Sequence, residues 1–241
     1  MLKAVYKFEK DKLFHSSKIL VPILFLVTYT GCSYTVGPLE ILSSFSAAAS
    51  IVFALMVSIG VIYGNMNYNM IDQAIFVKLP KKEYFYFGKI IIMAEVSMVF
   101  ALFSVFLPVA IHVFNGGGLF KRSVEFADIF SGILLFWLIG MSGGLLGIIA
   151  NQKIIKERKY VILLCTFLSI VTIVKVPINK EFIIAKFFTW ILPPVYDLSF
   201  FYSKDAYFQF SSTWIYFMWI SIYIIIEIIL YVKVMLKIGF E

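Results

Sequence analysis

The hydrophobic and polar positions divide the chain into six long apolar runs separated by more polar segments. Each run is close to the roughly 20 residues that cross a bilayer as an α-helix. This pattern predicts an all-α integral membrane protein, with residues 1–241 forming one transmembrane domain of six helices. The six predicted spans are Ile19–Val36, Ile41–Tyr63, Ile90–Phe114, Ile129–Ala150, Tyr160–Val176 and Thr213–Val232.

Two further segments have patterns unsuited to a complete crossing. Residues 1–18 are basic and amphipathic, which predicts an interfacial helix before the first span. Phe182–Leu198 is apolar, but Lys186 interrupts it and Pro193–Pro194 break it. We therefore expect a re-entrant stretch inside an external region at 177–212, tolerated where protein or water satisfies the free backbone groups.

The basic residues are distributed unequally between the two sides of this predicted topology. Fifteen of the 21 Lys and Arg residues fall on the side that carries both termini, and six fall on the other. Positive charge is enriched in cytoplasmic segments of membrane proteins. The distribution predicts that both the N and the C terminus are cytoplasmic.

The composition excludes several soluble classes. The chain is 61% hydrophobic and 15% charged, whereas soluble domains are about 45–50% apolar and about 25% charged. A soluble enzyme, a disordered chain and a nucleic-acid-binding domain are therefore poor interpretations, although the net charge is +7. Cys32 and Cys165 fall at different predicted membrane depths, so we expect them to be unpaired.

Enzymatic motifs are incomplete in this sequence. The sequence Gly140–Met141–Ser142–Gly143 matches the Gly-x-Ser-Gly motif of rhomboid-type proteases. However, the predicted sixth span has no His that could act as the general base. No His-Glu-x-x-His motif and no phosphate-binding P-loop occur. We expect no enzymatic activity in this chain and interpret the pairs Gly140/Gly144 and Gly143/Gly147 as close helix contacts.

Two acidic residues, Glu95 and Glu227, fall within the predicted spans. Ionisable groups inside a membrane are costly and are functional candidates by default. The alternative is that both lie low in the bundle and face cytoplasmic water, since each is about six residues from a lysine that follows or precedes the span.

The loop Asn65–Lys89, with the sequence NMNYNMIDQAIFVKLPKKEYFYFGK, is predicted to be the main cytoplasmic element. It contains a short amphipathic segment at 70–77, a break at Leu79–Pro80, a basic pair, and an aromatic run that leads to Gly88–Lys89. A basic, aromatic loop of this kind is also compatible with simple binding to anionic lipid.

The order of these features resembles the first cytoplasmic loop of permease subunits of ABC-2 type transporters. Acidic and amide side chains, Leu-Pro, basic residues, an aromatic residue and Gly-Lys follow one another in that family. Here these places are taken by Asp72, Gln73, Leu79, Pro80, Lys81, Lys82, Tyr84, Gly88 and Lys89. The layout of the whole chain is also similar, although the basic pair stands where many members have small residues followed by Arg.

The resemblance implies a permease of a bacterial plasma-membrane exporter that pairs with a second permease copy and two ATPase subunits. ATP and Mg would bind the ATPase, and this chain would hold no cofactor and no metal. The helix at 70–77 would fit a cleft on the ATPase. The implied coupling residues are Asp72, Gln73, Phe76, Leu79, Pro80, Lys81 and Lys82.

The expected cargo is an amphipathic or hydrophobic peptide, such as a bacteriocin or toxin, or a hydrophobic drug. The 26 Phe and 9 Met residues suit such cargo, because flexible and aromatic side chains accept varied apolar ligands. Residues alone do not fix export or import, or whether the second permease is identical.

Two other functions remain open at this stage. One is an ion-coupled secondary transporter or channel that uses Glu95 and Glu227. It would predict paired broken helices in the two halves, but the only break is near Pro193–Pro194 and no inverted repeat is evident. The other is a membrane scaffold without transport activity.

Overall fold

The computed structural model describes residues 2–66, 70–150, 154–155, 157–182, 185–190, 192–195, 208 and 210–238. Within these residues the chain is helical, and the only strand-like pairing is one bridge between Leu39 and Phe120. The helices are α1 (Leu2–Phe14), α2 (Leu20–Ser33), α3 (Ile41–Gly64), α4 (Met70–Lys78), α5 (Glu83–Phe114), α6 (Phe126–Ile149), α7 (Arg158–Glu181), α8 (Ala185–Thr189) and α9 (Phe210–Ile238).

Five of these helices, α3, α5, α6, α7 and α9, are long and apolar enough to cross a membrane. A sixth span is obtained if α1 and the helix that follows it, bent by 65°, are counted together. The predicted all-helical, multi-pass membrane architecture is thus confirmed, with five or six candidate spans in the described part of the chain.

The first predicted span, Ile19–Val36, is longer than the helix observed there. Helix α2 has only 14 residues and ends at Ser33. Pro38, which has no backbone N–H, follows, and the next residue pairs with another loop: Leu39 N donates to Leu119 O at 2.8 Å and its carbonyl accepts from Lys121 N at 3.0 Å. The segment after α2 is therefore held by these contacts instead of continuing the helix.

Two other helices are longer than the predicted spans. Helix α5 begins at Glu83 instead of Ile90, so the aromatic run and Gly88–Lys89 are already helical. Helix α7 continues through Pro177 to Glu181, past the predicted end at Val176. In α5 the early start follows from packing, because Phe85 and Tyr86 are buried against Phe76 of α4.

Helices α3 and α6 form the centre of the bundle, and α5, α7 and α9 surround them. The contact between α3 and α6 is made by glycine. A Cβ atom on Gly147 would lie 2.8 Å from the Gly60 Cα, and one on Gly143 would lie 2.6 Å from the Phe53 carbonyl oxygen. The predicted role of these small residues in close helix packing is confirmed.

Both described ends of the chain lie at one end of the bundle, beside α4. Lys12 of α1 contacts Asp72 of α4, and the Met235 carbonyl of α9 accepts a hydrogen bond from Tyr86 at 3.1 Å. We call this the α4 end. The opposite end carries the Leu39–Phe120 bridge and the buried Tyr34, whose burial raises the pKa of its hydroxyl above the ordinary value. Cys32 and Cys165 are both free, as predicted.

The glycine contact predicts a specific sensitivity to added volume. Gly147→Ala should destabilise the protein by about 1–3 kcal/mol, because the new methyl group meets backbone atoms that cannot rotate away. Thermal unfolding of the purified protein in detergent measures the effect. Gly31→Ala is the matched control, since nothing lies within 4 Å of a Cβ there, and equal melting temperatures for the two variants would contradict the packing described.

Candidate functional site

Helix α4 lies outside the spans, at the position predicted for the amphipathic segment of the loop. It begins at Met70 and ends at Lys78. The end is consistent with the Leu79–Pro80 break, because the residue before a proline is driven out of the helical conformation. The predicted element is confirmed, and its two faces have different environments.

The inner face of α4 carries Asp72 and Phe76, which are one helical turn apart. Both side chains are buried within this chain. The Phe76 ring packs edge-on against Phe85 at 5.8 Å and against Tyr86 at 5.9 Å, and the Lys82 ammonium lies 5.3 Å from its centroid. These contacts attach α4 to the first turn of α5.

Asp72 attaches α4 to a second helix. Its Oδ2 atom lies 2.5 Å from Lys12 Nζ of α1, and the side chain of Asp72 is fully buried while that of Lys12 is 13% exposed. The other oxygen, Oδ1, has no hydrogen-bond partner among the described residues. Helix α4 is therefore fixed to α1 by charge and to α5 by aromatic packing.

The outer face is open. Gln73 and Val77 are exposed, the latter by 79%, and so are Pro80, Lys81 and Lys82 after the helix, while Leu79 is half-buried. The predicted coupling residues are thus divided between two surfaces. Asp72 and Phe76, expected to contact a partner, are buried against this chain's own α1 and α5, because the early start of α5 supplies the aromatic partners. Their role in coupling to an ATPase stays a prediction.

Below α4 lies a group of buried polar residues that sequence reasoning missed. Glu9 of α1 and Lys89 of α5 are both buried, with Glu9 Oε1 3.9 Å from Lys89 Nζ. The Tyr63 hydroxyl of α3 donates to Glu9 Oε2 at 2.9 Å, and the Lys89 ammonium lies 4.3 Å from the centroid of Phe85. We call Glu9, Tyr63 and Lys89 the polar triad.

The sequence does contain a signal for Glu9. Val5, Glu9 and Leu13 are spaced by four residues and share one helix face, and all three are buried. The close approach of α1 requires Gly88, because a Cβ there would lie 2.9 Å from Val5 Cγ1. The predicted interfacial helix 1–18 is therefore a packed part of the bundle over the range of α1.

The two intramembrane acids have different environments. Glu95 is half-exposed, accepts a hydrogen bond from Tyr6, and lies 3.2 Å from Lys10 Nζ. Glu227 is only 6% exposed and accepts a hydrogen bond from Ser142 at 2.9 Å. The interpretation that both acids face water fits Glu95 but is wrong for Glu227, because α6 covers it.

The predicted break at Pro193–Pro194 lies in a buried segment at the opposite end. Lys175 of α7 donates to the carbonyls of Leu192 at 3.3 Å and Pro193 at 3.4 Å. Tyr216 of α9 donates to the Pro194 carbonyl at 2.5 Å. Protein groups thus satisfy the irregular backbone. Before the break, Ala185–Thr189 form the short helix α8. Residues 183–184, 191 and 196–207 lie outside the described residues, and the re-entrant course stays a prediction.

A cavity of about 410 Å³ lies between α3 and α7. Its wall is mainly apolar, with small hydroxyl groups from Ser58, Thr166 and Ser169, and Lys18 contributes a positive charge. A cavity of this size and lining suits a small amphipathic molecule. Among the described residues, no group of three or more His, Cys, Asp or Glu side chains is arranged to hold a metal ion.

The fold defines the chain as a helical membrane protein with several candidate spans, an α4 helix outside them and a polar triad beneath that helix. No family model, no curated protein and no solved structure matches the chain. Its function therefore rests on the residues and contacts described above.

The Asp72–Lys12 contact predicts a large effect for a small substitution. Asp72→Asn removes the charge that neutralises Lys12, and breaking a buried pair should cost about 3 kcal/mol of unfolding free energy. Thermal unfolding combined with proteolysis of the α4 segment measures it. Glu40→Gln, which breaks the exposed pair with Lys121, should change stability by only about 0–1 kcal/mol. Similar losses in both variants would contradict the role given to Asp72.

Proposed function

We propose that the chain is the permease subunit of an ATP-driven ABC exporter. Two permease copies would form the translocation pathway, and two separate ATPase subunits would bind the α4 ends. ATP and Mg would reside on the ATPase, so this chain would not be an enzyme and would hold no cofactor. Following the charge distribution, the α4 end would face the cytoplasm of a bacterial cell.

The attachment of α4 to two other helices is the observation that carries this proposal. A coupling element must pass a partner's movement into the membrane without bending, which requires firm contacts on its inner face. Phe76 and Asp72 provide these contacts to α5 and α1. Helix α5 then runs without a break from Glu83 to Phe114, so a displacement of α4 would move a whole span as a rigid body.

The outer face of α4 would be the ATPase contact. Exposed Gln73 and Val77 on the helix, followed by Pro80, Lys81 and Lys82, combine an apolar side chain with amide and positive groups. Leu79, half-buried at the helix end, would pack at the edge of this contact. Asp72 and Phe76 would act indirectly, as residues that position the helix.

The cavity between α3 and α7 would accept cargo. Its apolar wall fits a hydrophobic or amphipathic peptide or drug, and Lys18 would favour cargo that carries a negative group nearby. The flexible side chain of Met66 in the lining would allow more than one cargo shape.

An ion-coupled transporter or channel is the second candidate, and one observation favours it. Glu227 is buried in the bundle with one oxygen that has no hydrogen-bond partner among the described residues. Glu95, by contrast, is bound to Tyr6 and Lys10 near the surface. This alternative would therefore depend on Glu227 alone, and it predicts transport by the purified chain without any ATPase.

The experiment is purification of the tagged chain from its native membranes in mild detergent, followed by assay of Mg-dependent ATP hydrolysis and subunit stoichiometry. The wild type should retain an ATPase in equal amount. Val77→Glu should lose most of it, since a buried negative charge opposes apolar docking. Val113→Glu, a similarly exposed valine at the opposite end (69% exposed), is the control and should keep the ATPase.

Two results would contradict the proposal. One is a correctly folded wild-type chain that retains no ATPase and transports without it. The other is equal ATPase retention by Val77→Glu and Val113→Glu, which would exclude α4 as the contact.

A further inference from the structure

Seven buried side-chain oxygen atoms in the described part of the chain have no hydrogen-bond partner, and four of these lie on α1, α4 and α9. Among the described residues, they are Glu9 Oε1, Asp72 Oδ1, Glu227 Oε2 and the Tyr231 hydroxyl. Buried polar atoms in folded proteins are almost always paired with protein or water. Two of the four, Glu227 Oε2 and the Tyr231 hydroxyl, belong to residues that lie one helical turn apart on α9.

Glu227 is the deepest of these groups, about 16 Å of helix rise from the end of α9 at Ile238. Ser142 of α6 donates to its Oε1 atom. No Lys or Arg side chain among the described residues forms an ion pair with it. A charged carboxylate in this position would be desolvated without compensation, whereas a neutral carboxyl would not.

The charged groups on the helices that pack against α9 interact with other side chains or are exposed. On α6, Asp128 is bound by Arg122 at the opposite end. On α5, Lys89 faces Glu9, Glu95 is bound to Lys10, and Glu83 is exposed at the helix start. On α9 itself, Tyr223 and Tyr231 lie one turn to either side of Glu227, and Lys233 and Lys237 are exposed further toward the α4 end.

Polar groups continue from Glu227 toward the α4 end. The Tyr231 ring packs edge-on against Tyr86 at 5.8 Å. Glu9 accepts from Tyr63 and faces Lys89. Tyr231 and the polar triad are thus buried polar residues that lie on the α4 side of Glu227.

We propose that Glu227 is a proton-binding site inside the membrane and that the path through Tyr231 and the polar triad gives protons access to it from the α4 end. A proton from water at that end binds Oε2, and the neutral carboxyl keeps its hydrogen bond from Ser142 on Oε1. Release returns the proton along the same path. The site is independent of the proposed ATPase partnership, since no contact of α4's outer face is involved.

Infrared spectroscopy of the full chain, reconstituted in phosphatidylcholine vesicles at neutral pH, tests the site. The wild type should show the carbonyl band of a protonated carboxylic acid, which shifts in D₂O. Glu227→Gln should remove the band, and Glu95→Gln should leave it. Ser142→Ala should move the band to higher frequency, because a hydrogen bond to the carbonyl is lost, and this variant tests the assignment even if Glu227→Gln does not fold.

The access path is tested by the rate at which the band shifts after transfer to D₂O. Tyr231→Phe, which removes only the hydroxyl, should slow the shift several-fold. Tyr34→Phe is the control, since it removes another buried, unpaired hydroxyl, at the opposite end. Absence of the band in the wild type, or a band that is unchanged in both Glu227→Gln and Ser142→Ala, would overturn the site. Equal exchange rates in the two tyrosine variants would overturn the path.

Discussion

Glu9 and Lys89 lie 3.9 Å apart with both side chains buried, and the arrangement of the α4 end depends on their mutual neutralisation. A buried ion pair adds little stability over apolar packing, but removing one member leaves an uncompensated charge and is strongly destabilising. Because Glu9 belongs to α1 and Lys89 to α5, separating the two helices would leave each charge without its partner and would destabilise the structure. Tyr63 adds α3 to the same contact through its hydrogen bond to Glu9.

The other contacts of this region follow from that constraint. Once α1 is held on α5, Lys12 is placed beside Asp72, and α4 is fixed above the triad. Gly88 permits the approach, since its missing side chain leaves room for Val5. The result is a helix outside the membrane spans whose inner face is anchored at two points and whose outer face is open. The proposed transmission of a partner's movement through α4 requires this combination.

Helix α6 organises the interior in a comparable way. Its glycines pack against α3, Gly140 faces Ser97 of α5, and Ser142 donates to Glu227 of α9. Ser97 in turn donates to the Trp137 carbonyl at 2.6 Å, while Trp137 donates to the Ala94 carbonyl at 3.1 Å. In a membrane, where apolar burial does not by itself bring helices together, small residues and interhelical hydrogen bonds supply the specificity. Glu227 is buried because it lies on the face of α9 that meets this helix.

The sequence is sufficient to predict the helical spans, the position of α4 and the glycine contacts, because each depends on local hydrophobicity or on spacing within one helix. It is insufficient to predict which residues of α4 face the bundle and which face outward. Asp72 and Phe76 became buried because α1 and the first turn of α5 cover them, and those partners are about 60 and 9 residues away along the chain. The burial of Glu9 likewise depends on Lys89, about 80 residues later. Such pairings depend on tertiary contacts, which the hydrophobic periodicity of the sequence does not reveal.

The central claim is that α1 and α4 form one unit with α5, held through Glu9. Hydrogen–deuterium exchange of the backbone amides, followed by mass spectrometry on the purified full chain, tests it most directly. In the wild type, α1 and α4 should both be protected. Glu9→Ala should accelerate exchange in α1 and α4 together and leave α6 unchanged. Exchange that rises in α1 alone, with α4 still fully protected, would contradict the claim.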